Sequence, residues 1–402
     1  MSGAADHAGW AGAAVWSSPF RPFYLLGTLY GLALTPAWIG GLLGQSGVAG
    51  GVPLALWHGH EMLFGFVAAI VVGMTLTALP SWPGTDEVRG RPLALLVAIW
   101  AAGRLALWAG PWLAPPWPAV IDALLFPAVF VAVAPQLLRT PNRLYLLLLP
   151  ILAALCGANL AWHAGVITAD PALASLGLRA GIHALIALFV LKGGVLTPIF
   201  TGNALREKGR GAQAPFVMSL ETAAVASLIV FATLDLGGAP ARWTGYAALA
   251  CAIVHGWRVA RWKGWRVADV PLVWVMHLGF AWLVGAFALK AAADLAGIVP
   301  QASWIHAFTV GSLGMMMLGL MTRVVLRHTG RPLVAPRPML AAWAMAFAGA
   351  LLRLAATILS LGPWAVALAA LLWMVPFAIY LALFARMLVT PSLPRAAPTH
   401  FA

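Results

Sequence analysis

Runs of about twenty apolar residues alternate along this chain with short joints rich in proline, glycine and charge. A run of that length crosses the roughly 30 Å hydrocarbon core of a bilayer as an α-helix. The pattern predicts twelve such helices, at residues 22–43, 58–80, 92–109, 118–138, 144–163, 179–200, 215–235, 243–258, 270–290, 303–323, 338–360 and 364–386. The expected class is all-α, a polytopic integral membrane protein. Its expected parts are a short segment 1–21, a single membrane domain 22–386 and a tail 387–402. The first twenty residues lack the basic stretch and cleavage site of a signal peptide, so the first apolar run reads as a retained helix.

Composition agrees, since 62% of the residues are hydrophobic and only 9% are charged, against roughly 25% charged in soluble domains. A net charge of +13 would suggest nucleic acid as the partner of a soluble protein. Here the cations follow the membrane, which excludes that reading and makes the bilayer the partner. With both termini in the cytoplasm, eighteen of the 24 lysines and arginines fall on the cytoplasmic side, as the positive-inside rule requires. Trp57, Trp82, Trp108, Trp117 and Trp304 stand near expected span ends and read as an interfacial belt. No short-period repeat or long linker interrupts the chain.

Cys156 and Cys251 lie in separate apolar runs with no CxxC or CxxCH spacing, which excludes a disulfide framework and covalent haem attachment. They read as packing residues. Histidines carry more information. His58, His60, His163, His183 and His306 gather near the outer ends of their spans, His277 lies deeper, and His255 and His328 lie at the inner side. His60 and His306 enter from one face at similar depth, so a compact bundle can bring them to one metal. His306 and His328 are separated by roughly 33 Å of helix and cannot share one. His58 and His60, two residues apart, point in opposite directions on a regular helix. Neutral imidazole suits haem iron and copper.

Ionisable groups inside a membrane are rare enough to be functional candidates. Glu61 is placed to orient an imidazole or pass a proton. Arg104 and Arg353 fall at the level of the outer histidines and need an anionic partner, which haem propionates, Glu61 or Asp122 would satisfy. Lys192 and Glu221 are candidates for an ion pair or a proton route. Met315, Met316, Met317 and Met321 point around their helix and read as packing.

Several blocks of this sequence stand out, beginning with Ser18-Pro19-Phe20-Arg21-Pro22-Phe23-Tyr24 and Trp57-His58-Gly59-His60-Glu61-Met62. Leu76-Thr77-Ala78-Leu79-Pro80-Ser81-Trp82-Pro83-Gly84-Thr85 and Val273-Trp274-Val275-Met276-His277-Leu278-Gly279 continue them. These blocks resemble the NnrS family of membrane proteins, associated with bacterial nitric oxide stress and denitrification. The match is sharpest from Trp304-Ile305-His306-Ala307-Phe308 through Met321-Thr322-Arg323 to His328-Thr329-Gly330-Arg331. One departure stands at Gly193-Gly194-Val195, where an arginine is expected in the family's segment; Lys192 is a candidate replacement.

The resemblance implies a twelve-helix protein of the bacterial inner membrane, containing b-type haem and copper. It implies a role in nitric oxide metabolism or nitrosative-stress defence, with nitric oxide as ligand or substrate and a quinol or other electron donor. The matching positions His58, His60, His277, His306 and His328 carry the resemblance over, and together with Arg104 and Arg353, which the span positions put at the level of the outer histidines, they are the expected cofactor-binding residues. The expected metal ligands are His58, His60, His183 and His306, and Glu61 is the expected catalytic acid or base. Reduction of nitric oxide to nitrous oxide is one expected activity. A transporter or channel built on Arg104, Lys192, Glu221 and Arg353, or a non-catalytic haem protein, is the competing expectation.

Overall fold

The computed structural model describes residues 14–45, 50–81, 85–114 and 116–394. His7, Trp82, Arg395 and His400 lie outside the described residues. Twelve long helices follow one another: α1 Phe20–Leu42, α2 Leu54–Ser81, α3 Arg91–Trp108, α4 Pro116–Arg139, α5 Arg143–Ile167 and α6 Pro171–Glu207, then α7 Met218–Leu236, α8 Ala241–Arg261, α9 Pro271–Ala296, α10 Ala302–His328, α11 Arg337–Ile358 and α12 Pro363–Val389. No strand occurs among the described residues. A helix satisfies every interior backbone group within itself, which a lipid environment demands.

Among the described residues, eleven of these helices are long and apolar enough to cross a membrane. α8 overlies the remaining expected span, 243–258, and is longer than it at 21 residues; with Arg242, Arg258 and Arg261 it is less apolar and is not one of the eleven. Boundaries differ from expectation mainly in α6, whose 37 residues outrun the expected 179–200 at both ends. At 1.5 Å per residue it is roughly 55 Å long and must extend beyond the hydrocarbon region.

A long-period repeat runs through this order. His60, His183 and His306 stand 123 residues apart, as do Pro92, Pro215 and Pro338. Each histidine lies in the second helix of a four-helix set, α1–α4, α5–α8 or α9–α12. In α2 and α10 it is followed at once by a π-helical segment, Glu61–Val67 and Ala307–Leu313. Local packing repeats as well. Gly73 of α2 abuts Phe23 of α1, and Gly319 of α10 abuts Val275 of α9.

The chain divides into two compact units: residues up to Gly181 with Met321–Leu333 and the chain from Tyr380, and Ile182–Leu320 with Val334–Ile379. In the first unit Arg21 is not a surface cation but is 1% exposed. Its Nη1 donates to the carbonyls of Met387, Leu388 and Thr390 at 2.9, 3.2 and 2.7 Å, and Nη2 donates to Ser392 at 2.8 Å. The arginine thereby caps the open carbonyls at the end of α12. Two tryptophans also depart from the expected belt: Trp57 and Trp304 are buried, while Trp108 and Trp117 are exposed. Trp57 packs edge-on against Trp108, and Trp304 lies beside Phe231 and His183, so intramolecular packing takes them from the interface.

Candidate metal centre

π-Helical segments redirect side chains relative to a regular helix and recur at functional positions. In α2 one begins directly after His60. His60 points toward α5, where its ring stacks on Trp162 with centroids 3.8 Å apart. His58 points toward α1 and stacks on Trp38 at 4.3 Å. The expected divergence of the two rings therefore holds, and His58 does not enter the cluster around His60.

That cluster is fully buried. Nε2 of His60 lies 2.8 Å from Asn159 Oδ1 and 3.2 Å from Asp122 Oδ2. Nε2 of His163 donates to the same Asp122 oxygen at 2.8 Å, and Asn159 Nδ2 donates to it at 2.9 Å. His60, Asp122 and His163 each present one ligand atom within 4.8 Å of the others. α2, α4 and α5 thus supply an N, O, N donor set, which suits borderline metals such as copper.

Arg104 of α3 closes the other side. Its Nη1 donates to Glu61 Oε1 at 2.7 Å and its Nη2 pairs with Asp122 Oδ1. Gly65 makes this approach feasible, because a Cβ there would stand 2.8 Å from the Tyr30 ring and 3.0 Å from Arg104 Nη1. Tyr30 donates to Glu61 Oε2 and receives Trp108 Nε1–H at 2.9 Å. Of the partners expected for Arg104, the protein supplies Glu61 and Asp122.

Counting charges gives the centre its chemistry. Glu61 and Asp122 carry two negative charges and Arg104 one positive, so one further positive charge brings the buried group to neutrality. Neutral His60 and His163 add no charge, so a second proton on the His60 ring, with Nδ1 then facing Glu61 Oε1 at 2.9 Å and Nε2 facing the Asn159 and Asp122 oxygens, or one monovalent cation among His60, Asp122 and His163 in its place, completes the balance. A macrocycle fits His60 poorly, since both ring nitrogens and one ring face already have close neighbours.

The other expected residues have their own surroundings. In the second unit, His183 Nε2 donates to Asp235 Oδ2 at 3.0 Å, and Lys290 Nζ reaches Asp235 Oδ1 and Asp294 Oδ2, each at 3.0 Å. Gln301 Nε2 and Thr244 Oγ1 each donate to Asp294 at 2.5 Å. His306 donates through Nδ1 to the Ala302 carbonyl at 2.7 Å, which leaves Nε2 basic; Arg353 Nη2 donates to it at 2.9 Å. Holding Nδ1 on a backbone carbonyl, which leaves Nε2 as the basic nitrogen, is the usual tautomer of a metal-ligating imidazole.

His277 Nε2 lies 2.8 Å from Thr201 Oγ1, and that hydroxyl donates to Thr197 O, so the imidazole is the donor. Its Nδ1 is covered by Gly264, where a Cβ would stand only 2.4 Å away. His328 packs its ring on Phe20 at 5.7 Å. Glu221 accepts both Nε and Nη2 of Arg258, at 3.0 and 2.5 Å. The Arg258 guanidinium also fills the space beside Gly194, in the segment where the family's arginine was expected.

Outside the spans, Asp269 receives Lys208 Nζ at 2.7 Å and Arg210 Nη1 at 2.6 Å, joining the α6–α7 and α8–α9 connections. The Arg210 hydrogen bond, then that of Lys208, holds the Asp269 carboxyl well below the usual carboxylate range. A depressed folded-state pKa stabilises above the unfolded value of about 3.9 and loses that contribution as pH falls further. Hydrogen-exchange protection of residues 206–213, measured against the intrinsic rate at each pH, should fall below about pH 4. In Asp269→Asn the protection should already be low at neutral pH and unchanged by acid over that range.

The sequence pointed to His60, Glu61 and Arg104 but left Asn159 and Tyr30 unmentioned, and gave His163 and Asp122 no ligand role. Asp122 and His163 did carry a signal, because both fall at the outer ends of their expected spans, level with His60. Comparison with curated proteins returns no match. The model of the family described as NnrS protein matches residues 14–392, nearly the whole chain, and membership of that family fits a nitric oxide-related, haem-containing membrane protein. The chain therefore belongs to the NnrS family.

Proposed function

We propose that this protein is a haem- and copper-containing inner-membrane protein that handles nitric oxide and reduces it to nitrous oxide. Its twelve spans form one membrane domain, residues 22–386, with both termini in the cytoplasm. The observation that carries the reading is the buried convergence of His60, Asp122 and His163 beside Glu61 in an NnrS-family chain. Copper held by these three residues would supply one-electron chemistry toward nitric oxide.

The protein's own residues do the rest. Nitric oxide is small and apolar enough to arrive through lipid. Two nitric oxide molecules, two electrons and two protons give nitrous oxide and water, so the site must accept protons. Glu61 holds one against His60 Nδ1, while Tyr30 and Arg104 fix its carboxylate. Trp162 covers the His60 ring and restricts water. His306 is the proposed haem ligand, since its Nδ1 is held on the Ala302 carbonyl; iron at Nε2 would displace the Arg353 contact and free that guanidinium to meet a propionate. At His277 both nitrogens are engaged or covered, so a haem there requires those contacts to give way. Electrons come from a quinol or another donor.

A transporter reading has one observation in its favour, the chain of charged and polar groups from His183 through Asp235, Lys290 and Asp294 to the exposed Gln301. Metal analysis and a pyridine haemochrome spectrum of protein expressed with haem and copper supplied separate the two. The proposal expects both metals, copper lost in His60→Ala and in His163→Ala, and the nitrosyl-haem signal lost in His306→Ala. Absence of both metals overturns it in favour of transport.

A further inference from the structure

α8 buries one stripe, Thr244, Ala247, Ala248, Cys251, His255 and Arg258, each three or four residues from another member on the same face. Cys251 and His255 are neighbours on that stripe, and both are 0% exposed. Both also meet the same turn of α7: the Cys251 thiol contacts Ser227, and the His255 ring approaches the Ala224 backbone. Ser227 Oγ is itself directed to the Ala224 carbonyl at 3.1 Å.

His255 is the anomaly. Neither of its ring nitrogens completes a hydrogen bond among the described residues. One ring face is covered by Phe287, centroids 5.5 Å apart. Buried polar groups are nearly always hydrogen-bonded, and lipid offers no water in compensation. The neighbouring Arg258 does not help, because its Nε and Nη2 go to Glu221 and the Gly194 carbonyl and its Nη1 makes no hydrogen bond to His255. The unengaged ring nitrogens of His255 therefore lie one helical turn from the buried Cys251 thiol, with a hydroxyl and a carbonyl of α7 nearby.

We propose that Cys251 and His255 form a two-donor site for a soft monovalent cation, cuprous copper. Thiolate sulfur and imidazole nitrogen suit that ion. On binding, the Cys251 S–H bond breaks, the proton leaves to solvent and a copper–sulfur bond forms, with no change of oxidation state. Cuprous ion, thiolate and neutral imidazole sum to zero charge, the state least penalised in an apolar surrounding. A divalent ion would leave a net charge there, and zinc would lack two of its usual four donors. The site is independent of the centre at His60, whose donors are nitrogen and oxygen alone.

The test is X-ray absorption at the copper edge on full-length Cys156→Ser/His60→Ala protein loaded with Cu(I) from a bicinchoninate complex. The expected result is one bound copper with a sulfur neighbour. Cys251→Ser in that background should lose the copper, and His255→Gln should weaken its retention against bicinchoninate at least tenfold. Copper without sulfur in the parent, no copper in the parent, or unchanged binding in Cys251→Ser each overturns the site; the last would assign any sulfur to methionine. The parent measurement decides alone if Cys251→Ser does not accumulate. Loss of copper from His60→Ala with this site intact, or the reverse, distinguishes failure of one centre from failure of the other.

Discussion

Arg104→Leu is expected to destabilise the first unit by about 3–5 kcal/mol, the usual cost of removing one member of a buried ion pair. The guanidinium bonds Glu61 at 2.7 Å and also pairs with Asp122, and all three side chains are at most 5% exposed. Leucine would leave two carboxylates beside His60 with no cation, and one would have to take up a proton or draw in water. Thermal unfolding in nanodiscs measures the loss. Glu61→Gln in the same protein should recover part of it, because it removes one unmatched charge, and the double-mutant cycle should show coupling above about 1 kcal/mol. Additive single effects would mean that Arg104 does not act through Glu61. Copper retention should fall as well, since Asp122 would no longer be held at its orientation.

Gly177→Leu should be nearly as damaging for a different reason. α5 and α6 approach so closely that a Cβ at Gly177 would stand 2.5 Å from the Trp162 backbone nitrogen and 2.7 Å from the Ala158 carbonyl. Backbone cannot rotate away as a side chain can, so the helices must separate, and overpacking of this kind costs about 3 kcal/mol. Small residues at such crossings are what allow membrane helices to pack. Asn159 and His163 ride on the displaced segment of α5, so copper should be lost even from protein that remains folded. Gly157→Ala on the same helix is the control: nothing lies within 4 Å of its Cβ position. It should be neutral or stabilising by up to about 1 kcal/mol. Equal metal content in Gly177→Leu and Gly157→Ala would remove the crossing from the account of the site.

The repeat explains why three related histidines have such different neighbours. His60 lies among two carboxylates, one arginine and a second histidine; His183 faces an Asp–Lys–Asp string; His306 faces Arg353. One helical scaffold holds each imidazole near the start of the second helix of its set, and substitution of the surrounding positions sets the local charge. His60 is therefore the histidine suited to a cation, and His306 the one suited to a ligand bearing carboxylates.

By itself the sequence determined the helices, because the length of an apolar run and the need to satisfy every backbone group in lipid leave little else for the chain to form. It also placed His60, His163, His183 and His306 near corresponding helix ends, since rise per residue converts position into depth. Depth does not give azimuth. Which face of each helix turns inward, and which neighbour it meets, was decided by tertiary packing: the π-helical turn after His60, the room left by Gly65 and the crossing at Gly177. Those contacts bring Asp122 and His163, 62 and 103 residues beyond His60, to one point. They also turned Arg21 and Trp304 from expected surface positions into buried ones. Hydropathy is summed along the chain, whereas a binding site depends on directions across it.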